Sequence, residues 1–110
     1  MKFEVIPTED FARELRQIAK KHRSILSDIA KLSQDIKADP TQGIHLGQNV
    51  YKIRLAISGT NKGKSSGARV ITYVLVDHKT VFLAEIYLKS EHDSINADRI
   101  IQRLKEAGLI

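Results

Sequence analysis

The chain has no cysteine, which excludes a disulfide framework, a thiolate zinc site and cysteine catalysis. It also has no apolar run near the roughly 18 residues of a membrane span. Its opening residues, Met1-Lys2-Phe3-Glu4-Val5-Ile6-Pro7, lack the apolar centre of a secretion signal, so a soluble, cytoplasmic protein that does not enter the membrane is expected. A third absence is regional. Between Thr41 and Val76 there is no aspartate or glutamate, yet Lys52, Arg54, Lys62, Lys64 and Arg69 all stand there.

The 110 residues, 42% hydrophobic and 28% charged, suit one globular domain spanning 1–110, with a core of modest size. The 18 Lys and Arg against 13 Asp and Glu leave a net charge of +5, and outside the acid-free segment the two signs balance. An excess confined to one segment is a local anion-facing feature and not a general solubility charge. Phosphate is the first ligand to consider, and an acidic protein the second.

The hydrophobic period changes along the chain. Lys2 to Ile6 alternates and reads as a short strand stopped by Pro7. Thr8 is placed to cap a helix whose first turn carries Glu9 and Asp10, where the helix dipole favours negative charge. Phe11, Leu15, Ile18 and Ala19 form its stripe, and Lys20, Lys21, His22 and Arg23 lie at its C-terminal end. Ser24 can cap a second helix with Ile25, Ile29, Leu32 and Ile36 inward, ending before Pro40; the pair suggests a helical hairpin. From Gly47 the period becomes 2, with strands expected over Val50 to Ile57, Ala68 to Val76 and Val81 to Lys89. Their links are the turn-rich run Ser58 to Gly67 and the tight turn Asp77-His78-Lys79. Asn96 or Ser94 can cap a last helix with Ile100, Ile101 and Leu104 inward, closed by Gly108. The expected fold is α+β in the order β-α-α-β-β-β-α: a small antiparallel sheet packed against the helical hairpin, with a C-terminal helix.

Gly59-Thr60-Asn61-Lys62-Gly63-Lys64-Ser65 has the look of a phosphate-binding P-loop. It has three residues between its glycines where the motif needs four, and a strand follows where the motif needs a helix. It reads instead as a basic hairpin loop whose Lys62 and Lys64 can touch a phosphate backbone without sequence choice. His22, His45, His78 and His92 fall in different elements with no H-x-x-x-H pair, so neither a metal nor another cofactor is expected.

The sheet carries the more coherent set. Strand alternation puts Lys52 with Arg54, Arg69 with Tyr73, and Glu85 with Tyr87 and Lys89. With the helices on the other face, Lys52, Arg54, Arg69, Tyr73, Tyr87 and Lys89 would form a basic and aromatic surface on which bases stack and phosphates pair. The same residues also fit an ordinary solvated sheet face with long side chains lying along the strands.

Tyr51-Lys52-Ile53-Arg54-Leu55, Ala68-Arg69-Val70-Ile71-Thr72-Tyr73 after a Gly/Lys/Ser-rich loop, and Ile86-Tyr87-Leu88-Lys89-Ser90-Glu91 resemble the RelE/ParE toxin superfamily of bacterial type II toxin–antitoxin systems, as does the order of elements over nearly the whole chain. The resemblance implies a toxin neutralised by a cognate antitoxin. Toxins of the RelE branch cut mRNA in the ribosomal A site; those of the ParE branch poison DNA gyrase and are not nucleases. Carried over position by position, Arg54 falls on the strand that gives basic residues to the mRNA backbone, and Arg69 matches the arginine at the scissile phosphate. Tyr87 and Lys89 fall near the polar residues acting on the attacking hydroxyl or the leaving group. The chain departs from the best-known members in a C-terminal helix after Ser94 and in having no histidine at the end of the last strand.

Metal-free RNA cleavage of this kind uses the 2′-hydroxyl as nucleophile and yields a 2′,3′-cyclic phosphate. The protein must hold the backbone in line and stabilise the added phosphorane charge. Tyrosine and lysine titrate at about 10 in water, so a cationic neighbourhood has to lower that value before either moves a proton well near neutrality. Such a weak catalyst suffices where the ribosome positions the mRNA. A ribosome-dependent endoribonuclease, with ribosome and mRNA as partners, is the leading expectation, and a ParE-like gyrase inhibitor is the alternative.

Overall fold

The computed structural model describes residues 2–60, 63, 67–91 and 94–110. The chain runs as β1 (Glu4–Pro7), α1 (Glu9–Ala19), α2 (Ile25–Ala38), β2 (Ile44–His45), β3 (Val50–Leu55), β4 (Ala68–Leu75), a single 3-10 turn (Val76–His78), β5 (Thr80–Leu88) and α3 (Ala97–Glu106). This is the α+β fold expected, C-terminal helix included. The two-residue β2, set between left-handed glycines Gly43 and Gly47, is too short for periodicity to reveal.

Local chemistry explains most of the boundaries. Thr8 caps α1, its side-chain oxygen accepting from the Phe11 N–H. Asn96, not Ser94, caps α3, accepting from the N–H groups of Asp98 and Arg99. Ser24 precedes α2 but makes no cap bond; its hydroxyl donates instead to the Ser58 carbonyl at 2.5 Å. The β4–β5 turn closes on Lys79 in the left-handed region, φ 47°. Gly67 opens β4 because any Cβ there would lie 2.2 Å from the Leu55 carbonyl oxygen.

The sheet order is β1-β5-β4-β3-β2. The β2–β3, β3–β4 and β4–β5 pairs are antiparallel, while β1 joins the outer edge parallel to β5. Beyond β1 the edge of β5 is sealed by α1. Thr8 N–H donates to the Leu83 carbonyl, the Thr8 hydroxyl to the Ala84 carbonyl, and Ile86 N–H to the Glu14 carboxylate.

Two apolar layers sandwich the sheet. On one side α1 and α2 lay Phe11, Ile18, Ile25, Ile29, Leu32 and Ile36 over Ile53, Val70, Val74, Val81, Leu83 and Ile86. On the other, Ile100 and Leu104 of α3 pack with Val50, Ile71, Phe82, Ala84 and Tyr87. A bulge makes this possible. Ile71 pairs with Glu85 but Thr72 with Leu83, leaving Ala84 extra on β5. One extra residue reverses the alternation, so Glu85 and Tyr87 face α3 while Leu83 and Val81 face α1 and α2.

Candidate active site

The strand register decides which of the sequence-derived residues meet. Arg54 pairs with Arg69, and Arg69 with Tyr87, so one row across β3, β4 and β5 carries all three on one face. The next row holds Lys52, Ile71 and Glu85, and a further one Val50, Tyr73 and Phe82. Lys52, Arg54, Arg69, Tyr73 and Tyr87 therefore share a face. Lys89 lies one residue past β5 and is exposed, its N–H donating to the Gly67 carbonyl. Lys62, Lys64 and His92 fall outside the described residues.

That face is not the open concave surface the sequence suggests, because α3 lies across it. Arg69 is only 2% exposed and Tyr87 4%. Tyr87 belongs to the apolar layer closed by Ile100 and Leu104. Arg54 remains exposed, while Lys52 and Tyr73 are half-buried. An Arg69 Nη donates to the Ala68 carbonyl at 3.1 Å. In the sequence α3 is an apolar stripe seeking a core, and a stripe does not say which of two sheet faces it will cover.

The contacts holding α3 are charged as well as apolar, and sequence reasoning misses them. Glu85, 4% exposed, receives Arg99 at 3.2 Å and Arg103 at 2.8 Å. Arg103 also reaches Asp10 of α1 at 2.5 Å and Glu14 at 3.9 Å. A signal is present: a glutamate inside the apolar run Thr80–Leu88, and two arginines four apart on one helix face. The Gln48 amide adds a bond to the Asp98 carboxylate at the start of α3. The Arg13 hydrogen bond holds the Asp10 carboxyl below its usual range, against burial and with help from Arg103. Burial pushes the Glu14 carboxyl up, opposed by the Ile86 N–H and reinforced by Glu85. Burial also works against the Arg103 charge, but Asp10, Glu85 and Glu14 outweigh it and raise its pKa.

Among the described residues no group of His, Asp or Glu is arranged to hold a metal ion, and no helix is long and apolar enough to cross a membrane. His45 stacks on Tyr51 at 4.8 Å, and Tyr51 pairs with Thr72, which puts this aromatic pair on the face away from Arg69.

Neither a family model nor a curated protein matches the chain by sequence. Solved structures match its fold. The free-state structure of a double-arginine mutant of E. coli toxin RelE superposes with a TM-score of 0.60 at 17% identity, covering 97% of this chain and 98% of that one. The isolated E. coli RelE toxin gives 0.58 at 17%, covering 93% and 98%. The fold is thus that of the RelE toxin. With nearly all of both chains covered, α3 lies within the shared fold and is not the addition that the sequence suggests.

Proposed function

We propose that this chain is a toxin acting as a ribosome-dependent mRNA endoribonuclease that arrests translation and is neutralised by a cognate antitoxin protein. The observation that carries the reading is the cross-strand row Arg54–Arg69–Tyr87, two guanidinium groups beside a phenol on a RelE-like sheet. In the reaction the RNA 2′-oxygen bonds to the adjacent phosphorus and the bond to the 5′-oxygen breaks. Arg69 braces the phosphate and meets the charge that grows on it. Arg54, Lys52, Lys62 and Lys64 hold the flanking backbone, and Tyr73 offers a ring for stacking. Tyr87 and Lys89 serve the two proton transfers, away from the 2′-hydroxyl and onto the leaving oxygen.

Because Arg69 and Tyr87 are buried, an RNA phosphate reaches them only after a rearrangement that exposes them. The test is single-turnover cleavage on mRNA-programmed ribosomes. Arg69→Ala should slow cleavage about 10²–10³-fold while ribosome affinity changes little, with Arg69→Lys as the better-folded companion. Tyr87→Phe keeps the ring and removes the hydroxyl; it should slow cleavage if the hydroxyl moves a proton and be nearly silent if the ring only stacks. Lys89→Gln removes the charge at similar length. Normal cleavage by all these variants would put the chemistry elsewhere. A wild-type chain that cuts no mRNA but inhibits gyrase would replace the reading with the ParE-like one.

A further inference from the structure

The sequence run Lys20-Lys21-His22-Arg23 is more positive than a helix C-terminus needs, and the candidate active site leaves it unused. It forms the link between α1 and α2, where Lys20, Lys21 and Arg23 are exposed. None of the three makes an ion pair among the described residues; the Lys20 ammonium only approaches the Gln17 amide at 3.4 Å. The α3 arginines Arg99 and Arg103, by contrast, are occupied by Glu85 and Asp10.

The link is tied to one end of the sheet. The Ser24 hydroxyl donates to the Ser58 carbonyl at 2.5 Å, and the buried Asp28 carboxylate accepts from the Ser58 N–H at 2.9 Å and from its hydroxyl. Asp28 is thereby consumed as an internal strut. Ser58 begins the turn-rich run that carries Lys62 and Lys64 in sequence. The far end of that run, Gly67, abuts Leu55 and accepts from the Lys89 N–H at 3.0 Å. The α1–α2 link thus sets Lys20, Lys21 and Arg23 at the end of the sheet where β3 and β5 finish, with the exposed Lys89 just past β5. Among the described residues, Glu91, exposed three residues after Leu88, whose carbonyl its N–H bonds, is an opposing charge there.

We propose that the α1–α2 link and the adjoining strand ends form a docking surface for the phosphate backbone of double-helical RNA, separate from the Arg54–Arg69–Tyr87 row. The place rests on this geometry; the choice of RNA as partner rests on the functional reading above. The chemistry favours phosphate over an acidic protein. Lysines are point charges without base readout, and among the described residues the surface offers one large exposed apolar side chain, Leu26, where a protein interface needs a desolvated apolar or aromatic centre. A surface of this kind orients the protein on structured RNA and leaves the sheet face for the single strand.

The probe is a 20-base-pair RNA duplex of arbitrary sequence, titrated against the full chain at several salt concentrations. The triple variant Lys20→Gln, Lys21→Gln, Arg23→Gln should bind on the order of 10²-fold more weakly at about 0.1 M salt. The steepness of log K against log salt should fall by roughly 2 to 3, near 0.9 for each phosphate that the variant no longer neutralises. The control Lys2→Gln with Lys105→Gln, also exposed, should change affinity by less than about threefold, because it removes charge away from the surface. Lys20→Arg with Lys21→Arg should bind like wild type and shows that charge, not folding, is being read. An unchanged slope in the triple variant overturns the docking surface, as does loss of an acidic protein partner with duplex binding intact. A chain that binds duplex as expected yet cleaves no mRNA overturns the nuclease reading instead and leaves the surface standing.

Discussion

Thr72 stands mid-strand in β4, 1% exposed, and its hydroxyl makes no hydrogen bond among the described residues. Its partners in register, Tyr51 and Leu83, place it on the α1–α2 side. A buried hydroxyl without a partner costs about 1–3 kcal/mol. Thr72→Val should therefore stabilise the protein, raising the melting temperature followed by circular dichroism by several degrees; a lower melting temperature would mean the hydroxyl is satisfied. Gly67 makes the opposite case. A methyl group there meets the Leu55 carbonyl, so Gly67→Ala should lose about 1–3 kcal/mol in chemical denaturation. Neither effect is legible in the sequence: a threonine in a strand and a glycine at a loop end are both ordinary until the neighbouring strand is in place. Arg69 is similar. In the sequence it is a candidate phosphate ligand, but only packing makes it one of the most buried polar residues.

At the scale of the element, α3 is the informative case. Its apolar contribution is short, Ile100 and Leu104 with partial cover from Ala97 and Ile101 and from Ile95 just ahead of the helix, and the charge network supplies the rest. Arg103→Met leaves the nearly buried Glu85 carboxylate with Arg99 alone. It should cost about 1–3 kcal/mol and, in hydrogen exchange, open the α3 amides well before those of β4 and β5. Adding Glu85→Gln should recover part of the loss, because the pair is coupled. If α3 exchanges only with the whole protein, it is not separable from the sheet.

The acids joining α1 to α3 also make a pH test with opposite signs. Asp10 is held below its ordinary value, so its contribution is present above the usual aspartate range and is lost as pH falls through the folded-state value. Asp10→Asn should be less stable than wild type at pH 7, with the gap closing below about pH 4. Glu14 is raised, so its favourable contribution belongs to the protonated form and is lost as pH rises through the folded-state value. Glu14→Gln keeps an oxygen for the Ile86 N–H and should be at least as stable as wild type at pH 7, the advantage fading in acid. Urea unfolding of both variants at pH 7 and 3.5 decides it.

Across the whole molecule, charge is segregated: α3 is neutralised internally while the α1–α2 link and the neighbouring strand ends stay positive. With a net charge of +5, the chain also keeps basic side chains away from that link, such as the exposed Arg54, and these suit an acidic partner segment that folds over them. Co-expression with the product of the adjacent gene should lift growth arrest and give a more soluble complex than the free chain. A neighbour that neither binds nor protects removes the main support for an antitoxin-controlled toxin.

Caps, periodicity and turn residues act over a few residues, and so the order β-α-α-β-β-β-α, which lacks only the two-residue β2, the helical hairpin and the Asp77–Lys79 turn could be read directly from the sequence. Strand alternation likewise grouped Arg69 with Tyr73 and Glu85 with Tyr87 by local geometry alone. Whether those groups meet depended on register, set by long-range pairing. Their accessibility depended on α3, which no local signal directs to one sheet face or the other. The bulge at Ala84 belongs to the same class: it leaves β-strand propensity unchanged but reverses every side chain beyond it. The parallel docking of β1 against β5 brings together residues more than seventy positions apart. The sequence thus determined the elements and the chemical character of the candidate residues. Tertiary packing decided that Arg54, Arg69 and Tyr87 form one row, that Arg69 and Tyr87 are buried while Arg54 is exposed, and that α3 lies on this face, because burial of the Ile100–Leu104 stripe and pairing of Glu85 with two arginines are satisfied together only there.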